Sequence, residues 1–322
     1  MLAAAELNAA GGVFSREIRI VLADAGQVAG EALNAARDII DIESVDAVVG
    51  MHPSNVRAAI LHGLRGRVPY VYTPQYEGGE HAPYLVTTGG TDDEVLRPAI
   101  GWLAESRHAQ RFFLVGNDYV WPLRAHEIAR GIVRSCGGSV VGQSIAPFGV
   151  ADFSPTIDAI RASRPDVVVI ALLGIEAARF NRAFAEAGLA RTMLRLGLAT
   201  DESVLHAIGA ENTENLYVPL NYFAHMRSTA NDRFLETYHD SFGDLAPPVN
   251  QFCQSCYDGV YFVANLARAV GRSDGAALAD SLRRPLGRGA ARSSLLQTPM
   301  GPRLRVHLAQ ADGIEFRTVA SH

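Results

Sequence analysis

Three short loops hold the side chains of this sequence best suited to grip a small molecule. The first is Gly50-Met51-His52-Pro53-Ser54-Asn55. It leads into a helical pattern, so Ser54 is placed to cap a helix N-terminus, and free N–H groups there can also hold a ligand oxygen. The second is Tyr72-Thr73-Pro74-Gln75-Tyr76-Glu77-Gly78-Gly79-Glu80. It offers hydroxyl, amide and carboxylate partners for heteroatoms, and ring faces for an apolar part. A plainer role for Glu77 is to cap backbone N–H groups of the turn. The third is Gly116-Asn117-Asp118-Tyr119-Val120-Trp121-Pro122, where Tyr119 and Trp121 share a side if the segment is extended. Pro122 suits the first turn of a following helix. Ala199-Thr200-Asp201-Glu202 is a fourth, weaker candidate.

These loops gain meaning from where they fall. Each follows a short apolar run, and open α/β sheets bind ligands at strand ends. Strands are expected at 18–24, 45–50, 68–72, 84–88, 111–116, 139–146, 166–173, 193–199 and 215–220. Helical patterns fall between them at 28–40, 55–64, 93–106, 124–138, 153–164 and 176–189. The run 166–173, Asp-Val-Val-Val-Ile-Ala-Leu-Leu, has no polar alternation and reads as a parallel strand covered on both faces. After residue 222 come helices near 228–242, 251–271 and 274–284, then two strands at 303–309 and 314–320 that form an antiparallel pair. The pattern predicts α/β architecture with helices on both faces of parallel sheets. So many strands are better divided between two sheets than placed in one.

Length and composition agree with that division. The chain has 322 residues, 48 % of them hydrophobic and 20 % charged. At roughly 100–200 residues per domain this suggests two globular domains. It excludes a disordered chain or a disulfide-dense miniprotein. No apolar run is long enough to span a membrane as a helix. The net charge is −5 with no basic run, which argues against nucleic acid as a partner. All basic residues are Arg, a bias of composition rather than of function.

Signatures of enzyme chemistry are missing. The sequence has no G-x-G-x-x-G, Walker A, G-x-S-x-G or H-E-x-x-H motif. The ten His show no ligand spacing, and no cofactor or metal is expected. Asp92-Asp93-Glu94 fits a helix start, where carboxylates meet the positive end of the dipole. Three cysteines, Cys136, Cys253 and Cys256, cannot form a disulfide framework. Cys253-x-x-Cys256 falls inside a helical pattern and reads as buried structural thiols rather than as a redox pair.

Taken together, LAAAELNAAGGV, VVGMHPSNVRAAI, VYTPQYEGGE, GNDYVWP, ATDESV and the NYF…YHDSFG…YDGVYF stretch resemble the type I periplasmic-binding-protein family (Leu/Ile/Val-binding-like). The similarity runs over almost the whole chain. The Tyr-x-Pro-x-Gln-Tyr-Glu-Gly-like loop and the Asp-Tyr-x-x-Pro loop look like the short-chain amide and urea binders within it. The resemblance implies two doubly wound α/β lobes joined by three crossovers and closing on a ligand. It places one lobe at 1–89 plus 222–300 and the other at 90–221 plus 301–322. Crossovers are expected near 88–91, near 219–222 and close to the C-terminal strands. It also implies a non-catalytic receptor for urea or a short amide, serving an ABC permease. The alternatives are a cytoplasmic amide sensor with a regulatory protein partner, or a branched-chain amino-acid binder. A homodimer is compatible with any of them.

Carried over by position, Ser54, Tyr72, Tyr119, Trp121 and Thr200 fall where the amide binders hold ligand, with His52, Gln75, Tyr76 and Glu77 beside them. Gln75, Ser54 and Thr200 would meet the amide oxygen and nitrogens, and the aromatics would form the walls. His52 stands where an amide binder has Tyr, Gln75 matches the urea binders, and Trp121 replaces a smaller aromatic. The family has a further central strand ahead of AAAELNAAGG, so a truncated or misassigned start is expected, with unsatisfied strand edges in the first lobe. Location follows the same point: periplasmic if a signal peptide lies upstream, cytoplasmic if Met1 is the true start.

Overall fold

The computed structural model describes residues 1–243, 245–283 and 305–322. In chain order the elements are α1 (Leu2–Ala9), α2 (Ala29–Asp41), β1 (Val48–Gly50), α3 (Ser54–Leu64), β2 (Tyr70–Tyr72), β3 (Leu85–Thr87), α4 (Asp92–Ser106), β4 (Arg111–Asn117) and α5 (Val120–Ser135). They continue with β5 (Ser139–Ala146), α6 (Ser154–Ser163), β6 (Val167–Ala171), α7 (Gly174–Glu186), β7 (Leu194–Gly197), α8 (Glu202–Ile208) and β8 (Leu216–Leu220). The last are α9 (Thr229–Phe242), α10 (Gln251–Val270), α11 (Gly275–Arg283), β9 (His307–Asp312) and β10 (Glu315–Ser321).

Packing divides the chain into two compact units. The first takes Met1–Gly89, Arg227–Ala246 and the segment that begins at Phe252; the second takes Gly90–Met226, Pro247–Gln251 and the C-terminal strands. Residues 222–226 and 247–251 therefore pack with the second unit, not with the first as the sequence reading places them. Their contacts explain it: the Phe223 and Phe316 rings pack tilted at 5.0 Å, and Asn221 N–H donates to Gln251 Oε1 at 2.8 Å. Among the described residues the chain passes between units at 89/90, 226/227, 246/247 and 251/252. The lobe boundary expected at 300/301 and the start of the strand expected at 303–309 lie outside the described residues.

The second unit holds a seven-stranded sheet in the order β10-β9-β8-β7-β6-β4-β5, parallel from β8 to β5. β9 runs antiparallel to β8 and forms the expected hairpin with β10. Every residue of β6 is buried, as an all-apolar strand between two helical layers requires. Phe153, Phe180 and Phe184 from α7 and the α6 N-terminus fill one face. α4 opens with a capping box: Thr91 N–H donates to Glu94 Oε2 at 2.8 Å and Glu94 N–H to Thr91 Oγ1 at 3.4 Å. The acidic Asp92-Asp93-Glu94 run is thus a helix start.

The first unit has a three-stranded parallel sheet, β1-β2-β3. α2 and α3 cover one face with Ala36, Ile40, Val56 and Ile60; Leu7 of α1 and Phe262 and Leu266 of α10 cover Val71 on the other. Gly259 lets α10 approach closely, since a Cβ there would lie 2.7 Å from Val49 and 2.8 Å from Thr73.

The strand expected at 18–24 does not form. Asn8 tethers the segment, accepting from Ile18 N–H at 2.7 Å and donating to Ile18 C=O at 3.0 Å, yet Leu22 is 82 % exposed. A cavity of about 720 Å³ is lined by 17–22 on one side and by Val45, Ala47, Val49 and α10 on others. A strand exists only through a ladder, and with this gap beside it 18–24 has none.

Candidate functional site

β1 and β2 are parallel neighbours, so their C-terminal ends, Gly50 and Tyr72, fall at one edge of the sheet. The loops that follow them meet there. Pro53, not Ser54, occupies the cap position of α3, and Ser54 makes no capping bond. Being one residue inside the first turn, its hydroxyl turns away from the backbone and donates to Glu77 Oε2 at 2.7 Å. Glu77 therefore does not cap a turn.

Arg57, three residues on and so on the same helical side as Ser54, completes the cluster. Its guanidinium donates to Glu77 Oε1 at 2.6 Å, to Ser54 Oγ at 3.1 Å and to Glu80 Oε2 at 3.2 Å. It lies 4.9 Å from the Tyr72 ring centre and 5.4 Å from that of Tyr76. Burial works against its charge, but the bonds and charges of Glu77 and Glu80 hold its pKa above the ordinary Arg value. The side chains of Arg57 and Glu77 are 9 % and 8 % exposed, so this is a buried ion pair.

Tyrosine alternation supplies the wall. Tyr70 and Tyr72, two apart on β2, point to one face. Tyr72 O–H donates to His52 C=O at 2.9 Å and its oxygen lies 3.3 Å from Ser54 Oγ. The His52 ring is tilted against that of Tyr72 at 5.0 Å, stacks with that of Tyr70 at 6.0 Å, and bonds Tyr70 O–H through Nε2. Burial lowers the His52 pKa, with Arg57 adding to the effect, so the ring is neutral at pH 7. Nδ1 then donates to Pro53 C=O at 3.0 Å and Nε2 accepts. Gly50 has to be Gly here, because a Cβ would sit 2.8 Å from the Tyr70 ring. Tyr76 stands edge-on to Tyr72 at 6.2 Å and accepts from Thr87 Oγ1 at 3.2 Å. Gln75 is buried in the same loop.

The second unit holds the remaining candidates. The 117–122 loop is not extended: α5 begins at Val120, with Tyr119 as its cap residue and Trp121 in its first turn. The two rings still neighbour each other at 6.2 Å, and Phe148 packs on Tyr119 at 4.9 Å. Pro122 falls in the first turn, as expected. Trp121 is buried, and its indole N–H donates to Asp92 Oδ1 at 3.2 Å. Thr200 lies at another strand end, that of β7, with its hydroxyl packed over Gly197. Asp201 caps α8 by accepting from Val204 N–H at 2.9 Å. Burial raises the pKa of Glu202 to about 7, while Ala224 N–H donates to its Oε1 at 2.8 Å.

Six of the nine candidates, His52, Ser54, Tyr72, Gln75, Tyr76 and Glu77, thus lie in the first unit, and Tyr119, Trp121 and Thr200 lie in the second. None of the nine lines the 720 Å³ cavity. The sequence reading missed Arg57, Tyr70 and Glu80; the Ser54-x-x-Arg57 spacing and the Tyr70/Tyr72 alternation were the available signals. Cys136 is exposed, and Cys253 and Cys256, expected to be buried, are half-buried within α10; none of the three is in a disulfide. Burial, with Cys256 alongside, pushes the Cys253 thiol up, which lowers its thiolate fraction. Among the described residues no cluster of His, Cys, Asp or Glu has metal-holding geometry, and no helix is long and apolar enough to cross a membrane.

A sequence profile described as "Periplasmic binding protein" matches residues 1–288. The Leu/Ile/Val-binding protein homolog 6 of Brucella melitensis is 26 % identical over 255 residues, covering 76 % of this chain. The chain spans 64 % of that relative's length. An amino acid binding protein of Pseudomonas aeruginosa is 27 % identical over 216 residues, covering 65 % of this chain and 57 % of that protein. Among solved structures, a solute-binding protein of an ABC transporter from Rhodopseudomonas palustris HaA2, in complex with p-hydroxybenzoic acid, superposes with a TM-score of 0.86 at 21 % identity, covering 100 % of this chain and 90 % of that one. A branched-chain amino acid transporter substrate-binding protein from Streptococcus pneumoniae, in complex with isoleucine, gives 0.82 at 20 % identity, covering 100 % and 91 %.

Proposed function

The chain belongs to the periplasmic binding protein family, and from that premise we propose that it is a non-catalytic receptor for a small neutral ligand rich in N–H groups, urea or a short-chain amide, serving an ABC permease. A periplasmic location goes with that role. The observation that carries the reading is the bond between Ser54 and Glu77. It places a buried carboxylate at the strand end where the candidate residues gather. Arg57 balances one negative charge, and Glu80 adds a second. A neutral donor of N–H bonds suits such a place, whereas a ligand carboxylate meets like charge. Tyr72, Tyr76 and His52 supply ring faces for the ligand's flat sides. In this reading Gln75 offers an amide partner beside them.

A second reading, an amino acid or aromatic carboxylate, is favoured by what the relatives are named for and hold. Titration calorimetry with urea, acetamide, formamide, leucine and 4-hydroxybenzoate separates the two. Saturable heat with urea or an amide supports the proposal. Binding of leucine or 4-hydroxybenzoate alone moves the protein to the carboxylate class.

A further inference from the structure

Ser54 Oγ and the Arg57 guanidinium are the two donors of the first unit's cluster best suited to an anion. Ser54 is in the first turn of α3, where the helix dipole adds to the attraction. Both donors are taken. Glu77 reaches them from the β2–β3 loop, with Oε2 on Ser54 and Oε1 on Arg57. A free carboxylic acid would use its two oxygens in the same way. We infer that Glu77 is an internal occupant of this anion seat and sets ligand specificity by excluding carboxylates.

Glu80 shows why charge alone is not the device. It also pairs with Arg57, at 3.2 Å through Nε, but makes no bond to Ser54. Glu77 both neutralises the guanidinium and consumes the hydroxyl. A ligand carboxylate has to displace it and leave a buried charge without its partners. A urea or amide leaves it in place and donates to it. This inference deepens the amide reading and rests on it for the wild-type ligand, but its test does not. It concerns how the response to carboxylates changes when Glu77 changes.

The variant is Glu77→Gln, whose amide oxygen still accepts from Ser54 while the negative charge is gone. The probes are 4-hydroxybenzoate and leucine on one side and urea and acetamide on the other, read by calorimetry and by thermal shift on the full chain. The expected result is a rise of about tenfold or more in carboxylate affinity and a fall in urea and acetamide affinity. Glu80→Gln removes the same charge from a residue that does not touch Ser54 and is expected to raise the carboxylate response less than Glu77→Gln does, by about threefold at most. If Glu77→Gln does not fold, Glu77→Asp keeps the charge but shortens the reach to Ser54; a carboxylate response above wild type is expected there. An unchanged carboxylate response in the folded Glu77 variant overturns the inference, whatever ligand the wild type prefers. Equal gains in the Glu77 and Glu80 variants overturn it too, since bulk charge would then be the cause. Wild-type binding of a carboxylate in preference to urea sinks the amide reading by itself.

Discussion

The indole N–H of Trp121 donates to Asp92 Oδ1 at 3.2 Å, tying the first turn of α5 to the first turn of α4. Both side chains are buried, and α4 and α5 pack against each other through this contact. Asp92 also sits at the positive end of the α4 dipole. Asp92→Ala leaves a buried N–H without its acceptor, which costs about 1–3 kcal/mol. Chemical denaturation is expected to show that loss, and intrinsic fluorescence a shifted Trp121 emission. A loss below 0.5 kcal/mol, on the order of a neutral surface change, shows the bond to be dispensable.

Arg57→Ala strands two carboxylates. Glu77 is left buried without its cation, and removal of one partner of a buried pair typically costs about 3–5 kcal/mol. Glu77→Gln removes the charge that needs the cation. The double variant is therefore expected to be more stable than Arg57→Ala alone. A double-mutant cycle by urea or guanidinium denaturation reads the coupling; additive effects contradict the buried-pair assignment.

How far the site was legible depended on which interaction decides each residue. Strand ends and their loops follow from apolar periodicity, so His52, Ser54, Tyr72 and Glu77 were found from sequence and are gathered in space. Capping is a local preference and so is legible for Ser54 beside its ligand-holding role, but a tertiary partner, Glu77, takes its hydroxyl. Arg57 was overlooked because a basic residue on a helix is ordinarily solvated, and only the packing of the β2–β3 loop buries it. Alternation of Tyr119 and Trp121 suggests an extended 117–122 loop, whereas α5 begins at Val120, ahead of Pro122 and of the apolar periodicity. In the second unit nearly every strand was legible, since continuous apolar runs such as β6 leave few alternatives.

Two buried groups of the second unit give opposite pH dependence. Glu202 has a folded pKa raised from 4.5 to about 7 by burial. The folded state therefore holds the proton more tightly, and the stability this confers is complete below pH 4.5 and lost as pH rises through about 7. His126 has a folded pKa lowered from 6.5 to about 4 by burial. Its contribution is complete above pH 6.5 and lost as pH falls through about 4. Each shift corresponds to on the order of 3 kcal/mol. Between pH 4.5 and 6.5 the slopes oppose each other, so the wild type is expected to be nearly flat there. In Glu202→Gln the His126 slope stands alone, and stability rises with pH across that window. Denaturation midpoints from pH 4.5 to 8 check this; parallel profiles for wild type and variant refute the role of Glu202.

The segment 18–22 tests whether the first sheet ends where its ladders end. β1 bonds β2 on one side, and alternation turns the Val49 backbone groups to the other edge, where Val49 lines the cavity. Ile18 is held by Asn8, but Leu22 projects into solvent. In this arrangement the amides of 20–22 have no ladder to protect them. Hydrogen exchange is expected to be faster there than in β6 by several orders of magnitude, because β6 opens only with the second unit's core. Leu22→Ser is expected to change stability by less than about 0.5 kcal/mol, as at other exposed positions. Slow exchange at 20–22, or a loss above about 2 kcal/mol from Leu22→Ser, requires the segment to be laddered and Leu22 buried. An extended strand lying in the 720 Å³ cavity would produce that result, and a second measurement would locate it: the amide of Val49 would then be protected as strongly as that of Val71, the residue facing it on β2.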